Sequence, residues 1–591
     1  GIAGKQLVAS QLQVVEHVAT TVDRKGKAKH ATTWKLPELW RTQLPDGITA
    51  LHVKTANCFV ASDDGQRVVL LNVPQSSDDT CRVEWETRLP GVVSRALVAN
   101  KRLIVTSEDG VIACFGARAE RPVDAGLMRD APAVALQQVA VAEDVRRELA
   151  ALLEHVSSRA GYAVIDQAQD PQLLAALAQQ TEFFVIVLQD DAQLRETLRR
   201  TLRDWGLLGT RVDVIAGNLR TPGLPLYLAD LVVGSSSEGT GPADAQLIGR
   251  VVDALRPYSG TGLWRCASQD AAALSAACTA VLPEAEFQAA GNLLVARRPG
   301  PLPGAGSWTS QNANAGNTLV SLDTRVTTPL GLLWFGGPSN RDVLPRHGHG
   351  PSPQVIGGRL FIEGRNMLRA VDVFTGRLLW QREFPDVGIF YDNTDHHPGA
   401  GAIGGNYVCT ADSVYLLWGR RCLRLDPATG DTLAEFTLPP DESGDQPYWG
   451  YLAVAGDYLV AGSSPMLLLA RGPGEKIQLQ RAMPLYSAFG EGSRRLVVMD
   501  RFDGRVHWTR DALFNFRHNA IAVGAGKVFC LDRMTEERLA HFRRRGTVPA
   551  AEFALHALDI HTGEPVWQST ELAFGTWLAY SESTGLLLQA G

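Results

Sequence analysis

The sequence predicts a multidomain β plus α/β chain, on three observations. A recurring antiparallel unit runs near both ends, a helix-and-strand pattern replaces it in the middle, and 591 residues exceed one ordinary core. The unit is clearest in DVFTGRLLW (372–380), DPATGDTLA (426–434), DRFDGRVHW (500–508) and DIHTGEPVW (559–567). Each has Asp followed four residues later by Gly, and three of the four place Trp eight residues after the Asp. A strand ending at Asp, a tight turn with Gly at positive φ and a second strand running to Trp account for this spacing. The Asp side chain ties down turn amides, and Trp fills the wedge between neighbouring sheets.

Alternating apolar strands precede each unit, as in PQVIGGRLFIEGRNMLRAVDV (353–373) and NAIAVGAGKVFCLD (519–532). Four strands per unit and repeats of about 40–70 residues read as propeller blades. Residues 39–73 read as one blade and 83–116 as another; four to five more follow Trp308. The division expected is an N-terminal extension over 1–38, blades over 39–117, an α/β domain over 118–300 and further blades over 301–591. These repeats resemble the quinoprotein-dehydrogenase-like, or PQQ-like, β-propellers, which usually have eight blades. By that register the chain stops within a blade, so either the N-terminus supplies the final strands or the chain is a fragment or processed product, the reading preferred here.

The middle region follows a different period. VAEDVRRELAALLEHV (141–156) is an amphipathic helix with Val145, Leu149, Leu152 and Val156 on one face. Strands at 161–166, 183–189, 211–217, 228–234 and 261–266 alternate with helices at 171–180, 191–207 and 243–257, and 286–299 reads as an antiparallel edge pair. Continuous apolar strands between helices predict a parallel sheet buried on both faces.

This order resembles the Rossmann-like class I S-adenosylmethionine-dependent methyltransferase fold. That family places a G-x-G-x-G loop after its first strand, where backbone approaches the cofactor; here the stretch is Asp166-Gln167-Ala168-Gln169-Asp170, and the nearby Gly161 precedes the strand. Its acidic residue at the end of the second strand, which holds the ribose diol, is replaced by Gln189, followed by Asp190 and Asp191. Its Gly-Asp after the third strand becomes Gly217-Asn218, and ALRPYSGTG (254–262) matches an L-R-P-G-G turn with one glycine replaced. The resemblance therefore implies a cofactor pocket at Asp166, Gln189, Asp190 and Asn218 whose ligand-holding positions are altered. Some large bacterial proteins join such a domain to PQQ-like repeats, and GNTLVSLDTRVTTPLGLLWFGG (316–337) resembles the join.

A second candidate site lies in the loops that lead from each outer strand to the next innermost strand. In a propeller these loops converge around the central channel. They hold His347, His349, His396, His397 and His518, which could ligate a metal. Trp449 and Trp577 are candidate stacking walls, and Asp392 and Asp395 candidate orienting carboxylates. Histidines that simply plug the channel are the alternative. PQQ itself is disfavoured, because the adjacent cysteine pair of many quinone-cofactor dehydrogenases is missing and no calcium-binding Asn/Glu/Asp cluster is assignable.

The net charge of −6 excludes a broad nucleic-acid surface, and HFRRRG (541–546) reads as a solvated loop. Eight cysteines without a C-x-x-C pair give no thiolate zinc site; one or two disulfides are expected among them. No apolar run is long enough to cross a membrane as a helix, and no signal peptide opens the chain. The propeller resemblance implies a periplasmic or otherwise exported location. The resulting expectation is a binding or assembly module with protein partners and no cofactor. The alternatives are an S-adenosylmethionine-dependent methyltransferase and a propeller oxidoreductase with a metal or redox cofactor at the channel mouth.

Overall fold

The computed structural model describes the chain apart from residues 12–14, 23–27, 109–110, 117–138, 221–223, 235–241, 267, 341–342, 346, 348, 393–398, 442, 466–491, 535 and 548–551. It divides into two compact units, Gly1–Ala131 and Pro132–Gly591.

Within the first unit, Ile2–Ala3, Gln6–Ser10 and Glu38–Gln43 form a three-stranded antiparallel sheet, and Val15–Val22 pairs with Ala28–Lys35 as a hairpin. The span expected as an extension is thus mostly sheet, because Gln6–Ser10 pairs directly with Glu38–Gln43. A four-stranded sheet follows (Ala50–Lys54, Cys58–Ser62, Arg67–Asn72, Val83–Arg88), then a three-stranded one (Val93–Ala99, Arg102–Ser107, Ile112–Gly116). Val83–Arg88 therefore closes one blade instead of opening the next. The period-2 pattern shows why the sheets stack: Ala61, Val69 and Leu71 bury against Leu7 and Leu44, while Val60 and Val68 bury against Leu89, Leu103 and Val105.

In the second unit, the α/β domain carries one seven-stranded sheet. Its order is Val212–Ile215, Glu182–Leu188, Ala160–Asp166, Leu231–Gly234, Thr261–Arg265, Leu293–Arg297 and Glu286–Ala290. The first five are parallel; Leu293–Arg297 runs antiparallel to Thr261–Arg265 and to Glu286–Ala290. Both faces are covered, one core containing Leu149, Leu174, Leu177 and Leu198, the other Leu247, Val251, Leu255 and Cys278. Helix Ser268–Val281 was not foreseen; its run of alanines lacks a polar face to betray helical periodicity.

The blades of this unit are Gln354–Glu383, Tyr407–Thr437, Trp449–Asp511 and Asn515–Ser569, followed by the hairpin Trp577–Ser581/Leu586–Ala590. The third and fourth share the long strand Val506–Gly524, so seven strands form one continuous sheet. Every repeat Asp caps its turn as anticipated. Oδ1 of Asp372, Asp426, Asp500 and Asp559 accepts from the amides two and three residues on, at 2.7–3.1 Å. The Trp of one blade docks on the turn of the next: Trp380 Nε1 donates to Pro427 O (3.0 Å) and Trp508 Nε1 to Ile560 O (2.8 Å). Glycine is required there twice over. Gly430 and Gly563 lie at positive φ, and a Cβ on either would sit under 3 Å from the docked ring.

Two expectations fail. All eight cysteines are unbridged; in the propeller, Cys409 and Cys422 lie two strands apart on opposite faces of one blade, and in the α/β domain Cys266 and Cys278 face one core without a bond. The HFRRRG run is not a loop but mostly the end of helix Glu536–Arg544, with Arg543 and Arg544 exposed in its last turn, where the helix dipole favours cations.

Candidate functional site

The altered cofactor positions lie together at the carboxyl ends of the parallel strands, where α/β sheets bind ligands. Here those residues bind one another. Gln167 takes a left-handed conformation (φ 51°) at the turn where the glycine loop would stand. Its Nε2 donates to Gly217 O (3.1 Å), and its Oε1 accepts from the Asp190 amide (3.3 Å), so one side chain ties all three loops. Gln189 is 3 % exposed; its Nε2 donates to Ala168 O (3.0 Å) and its Oε1 accepts from the Asp191 amide (3.0 Å). It points into its own loop, not outward to a diol. Asp166 Oδ1 accepts from the Leu219 amide (3.1 Å), and Asn218 Nδ2 donates to Asp190 Oδ2. Asp191 caps helix Ala192–Asp204 through the Gln193 and Leu194 amides. Sequence reading found four of these positions but missed Gln167 as their link. Its signal was a non-glycine residue at a turn that needs positive φ.

Gly161 has a packing role. It lies inside the first strand at φ 120°, and a Cβ there would meet the Asp230 carboxylate at 1.9 Å. Asp230 accepts from Ser259 Oγ (2.8 Å), and burial raises its pKa despite the opposing pull of Arg256. Arg256, from the L-R-P turn, bonds Asp372 Oδ2 and donates to Ser259 Oγ (2.9 Å). Arg256 is 7 % and Asp372 1 % exposed. The α/β domain is thus clamped to the first blade of this unit through the oxygen that the turn leaves over. Tyr227 adds an edge contact to Phe374 (5.6 Å between centroids).

The propeller candidates do not assemble as expected. The first strands of successive blades lie side by side, so they face one axis. Residues 308–318 run along these inner strands. Trp308 exchanges backbone hydrogen bonds with Val355, and Thr309 O accepts from Cys409 N (3.0 Å). Further along, Ala315 O accepts from Val523 N (2.8 Å), Gly316 O from Tyr580 N (2.7 Å), and Asn317 Nδ2 donates to Ile521 O (2.8 Å). This backbone and Asn317 therefore tie together the innermost strands of the first, second and fourth blades and of the C-terminal hairpin. His518 is buried beside this segment, with Nε2 2.8 Å from Ser493 Oγ and its ring against Tyr451. A cavity of about 20 Å³, room for about one water, lies among Asn312, Asn314, Tyr407, Tyr451, His518 and Asn519.

His347 and His349 are exposed, and His396, His397 and Asp395 fall outside the described residues. Among the described residues, no three His, Cys, Asp or Glu side chains are placed to hold a metal. Trp449 is not a channel wall: it is buried, with Nε1 donating to Arg420 O (3.1 Å). Trp577 sits in the C-terminal hairpin, opposite Ala590. Asp392 pairs with Arg365 (3.2 Å).

Residues 420–581 match the model of a family described as outer membrane protein assembly factor BamB. No curated protein matches the sequence. Among solved structures, BamB from Moraxella catarrhalis is 13 % identical, covering 46 % of this chain and 72 % of its own, with a TM-score of 0.23. A structure described as an S-adenosylmethionine-dependent methyltransferase, from Methanococcus maripaludis, is 14 % identical over 27 % of this chain and 86 % of that one (TM-score 0.21). One described as a methyltransferase, from Pseudomonas syringae, is 20 % identical over 26 % and 95 % (TM-score 0.20). The chain combines PQQ-like propeller blades with a methyltransferase-like α/β domain. Among the described residues, no helix is long and apolar enough to cross a membrane.

Proposed function

We propose that this chain is a non-catalytic binding and assembly module whose partners are other proteins. The observation that carries the reading is the network of Gln167, Gln189, Asp190 and Asn218 across the strand ends. A nucleoside cofactor in that place would have to break it. A ribose diol also wants a carboxylate from the second strand, and Gln189 spends its carboxamide on its own loop. These residues do not fit S-adenosylmethionine and give methyl transfer no footing. Segment 308–318 supports the same reading for the inner strands, since its hydrogen bonds occupy their backbone groups. The blades then offer a rigid surface, and the description of the family that matches 420–581 supports an exported setting and protein partners.

Two measurements test this. Titration calorimetry with S-adenosylmethionine up to millimolar concentration is expected to show no binding; saturable binding would return the methyltransferase reading. Native size analysis of an extract is expected to place the chain in a complex larger than itself. A free monomer there would count against the assembly role.

A further inference from the structure

Histidines flank the Trp508 dock on both sides. Trp508 Nε1 donates to Ile560 O (2.8 Å), and this bond fixes His507 of the third blade beside His561 of the fourth. A bulge turns His507 toward the dock. Val506 stands opposite Met499 and Trp508 opposite Val498, so His507 is the extra residue, and bulges re-aim side chains. The two imidazole centres lie 5.5 Å apart, with their planes at 52°. Tyr458, which opens the second strand of the third blade opposite Asp500, closes the group. Its ring centre is 5.3 Å from that of His507, and its hydroxyl is 3.0 Å from His561 Nδ1. Other docks carry different chemistry at the same two positions. Leu379 and Ala428 flank the bond from Trp380 to Pro427 O, and Leu333 and Phe374 flank the one from Trp334 to Val373 O (2.9 Å). The counterpart of Tyr458 in the first blade is Arg359, opposite Asp372.

We propose that His507 and His561 bind a divalent late transition-metal ion, of which zinc is the natural probe, across the wedge between these two blades. The set shares no residue with the loop histidines and does not depend on the assembly reading. Two imidazoles on one zinc, each at about 2.1 Å and at the tetrahedral angle, have ring centres about 5.2 Å apart. The spacing of 5.5 Å meets that requirement. Imidazole suits zinc, copper and nickel, whereas magnesium and calcium take oxygen ligands. Tyr458 is a positioning residue: its hydroxyl engages Nδ1 of His561, which leaves Nε2 for the ion, as the outer partners of metal-bound histidines do. Asp500 feels the charge of His507 and Asp559 that of His561, so both repeat carboxylates favour a cation there, opposed by Arg505. Two protein ligands are fewer than a closed structural site has, and His561 is exposed, so water completes the shell. With one ligand from each blade, the ion acts as a staple between them.

Equilibrium dialysis of the full chain against micromolar zinc tests this, with bound metal counted by mass spectrometry. The chain has 13 histidines, so the readout is a difference between proteins. His507→Ala and His561→Ala are each expected to hold one zinc fewer per chain than the wild type, and excess magnesium is expected not to displace it. The same zinc count in all three proteins overturns the proposal. Tyr458→Phe is expected to weaken that zinc about tenfold; unchanged affinity overturns the role given to the phenol. A second measurement needs no variant. Zinc is expected to protect His507 and His561 of the wild type from acylation by diethyl pyrocarbonate, mapped by peptide mass spectrometry. Equal acylation with and without zinc overturns the proposal, since rings that only pack against one another would not respond to the metal.

Discussion

Replacing Glu363 by Gln is expected to change the pH dependence of stability more than any other single substitution in the first blade of the second unit. Glu363 is 4 % exposed in strand Arg359–Gly364, near Tyr391 and Tyr407. Among the described residues, no donor bonds either of its carboxylate oxygens, and Asn406 Oδ1 also lacks one. Burial pushes the carboxyl up to about 8 from 4.5, with the Asn406 carboxamide pulling slightly back without closing a hydrogen bond. The folded protein therefore holds a proton between pH 4.5 and about 8 that the unfolded chain has released. Stability must fall as pH rises through that window. A shift of this size is worth about 5 kcal/mol, a loss that is absent below the window and complete above it. Gln keeps the shape, cannot ionise and supplies an N–H for Asn406 Oδ1. Urea unfolding followed by tryptophan fluorescence, on both proteins from pH 5 to 9, reads the difference. The two should be about equally stable at pH 5 and differ by several kcal/mol in favour of the variant at pH 9. A difference that does not change with pH would refute the reasoning.

Arg256→Ala should leave the Asp372 carboxylate buried without its cation, at about 3–5 kcal/mol, and limited proteolysis should then release the α/β domain faster. The Arg256→Met/Asp372→Asn pair should recover most of that loss. Trp380→Phe should cost about 1–2 kcal/mol for the orphaned Pro427 carbonyl, and Gly430→Ala about 2 kcal/mol or more, both read as shifts in thermal midpoint. Asn317→Ala should cost about 1–2 kcal/mol and raise amide exchange in Trp577–Ser581, since it removes a side chain that bridges two inner strands.

Local chemistry was legible in the chain from the start. Asp, Gly and Trp at fixed spacing predicted the capped turn and the docked ring, and all three act through neighbours a few residues away or one blade on. The parallel sheet was legible because buried strands and amphipathic helices differ in period. Helix Ser268–Val281 and the helical end at Arg544 were missed because their compositions lack that contrast. At the candidate site, the lost glycines and the Gln at the second strand were visible in the residues. The closure was not, because the partners of Gln167 come from loops about 20 and 50 residues downstream.

Periodicity and turn chemistry, written residue by residue, determined that this chain would build stacked four-stranded blades and a wound α/β sheet. These depend on short-range sterics and hydrogen bonds. Only the tertiary structure decided that residues 308–318 tie together the innermost strands of several blades, that Arg256 uses the spare oxygen of one repeat Asp, and that Trp334 docks on the turn after Asp372. Each of those depends on which surfaces meet after folding, and spacing along the chain carries no record of that.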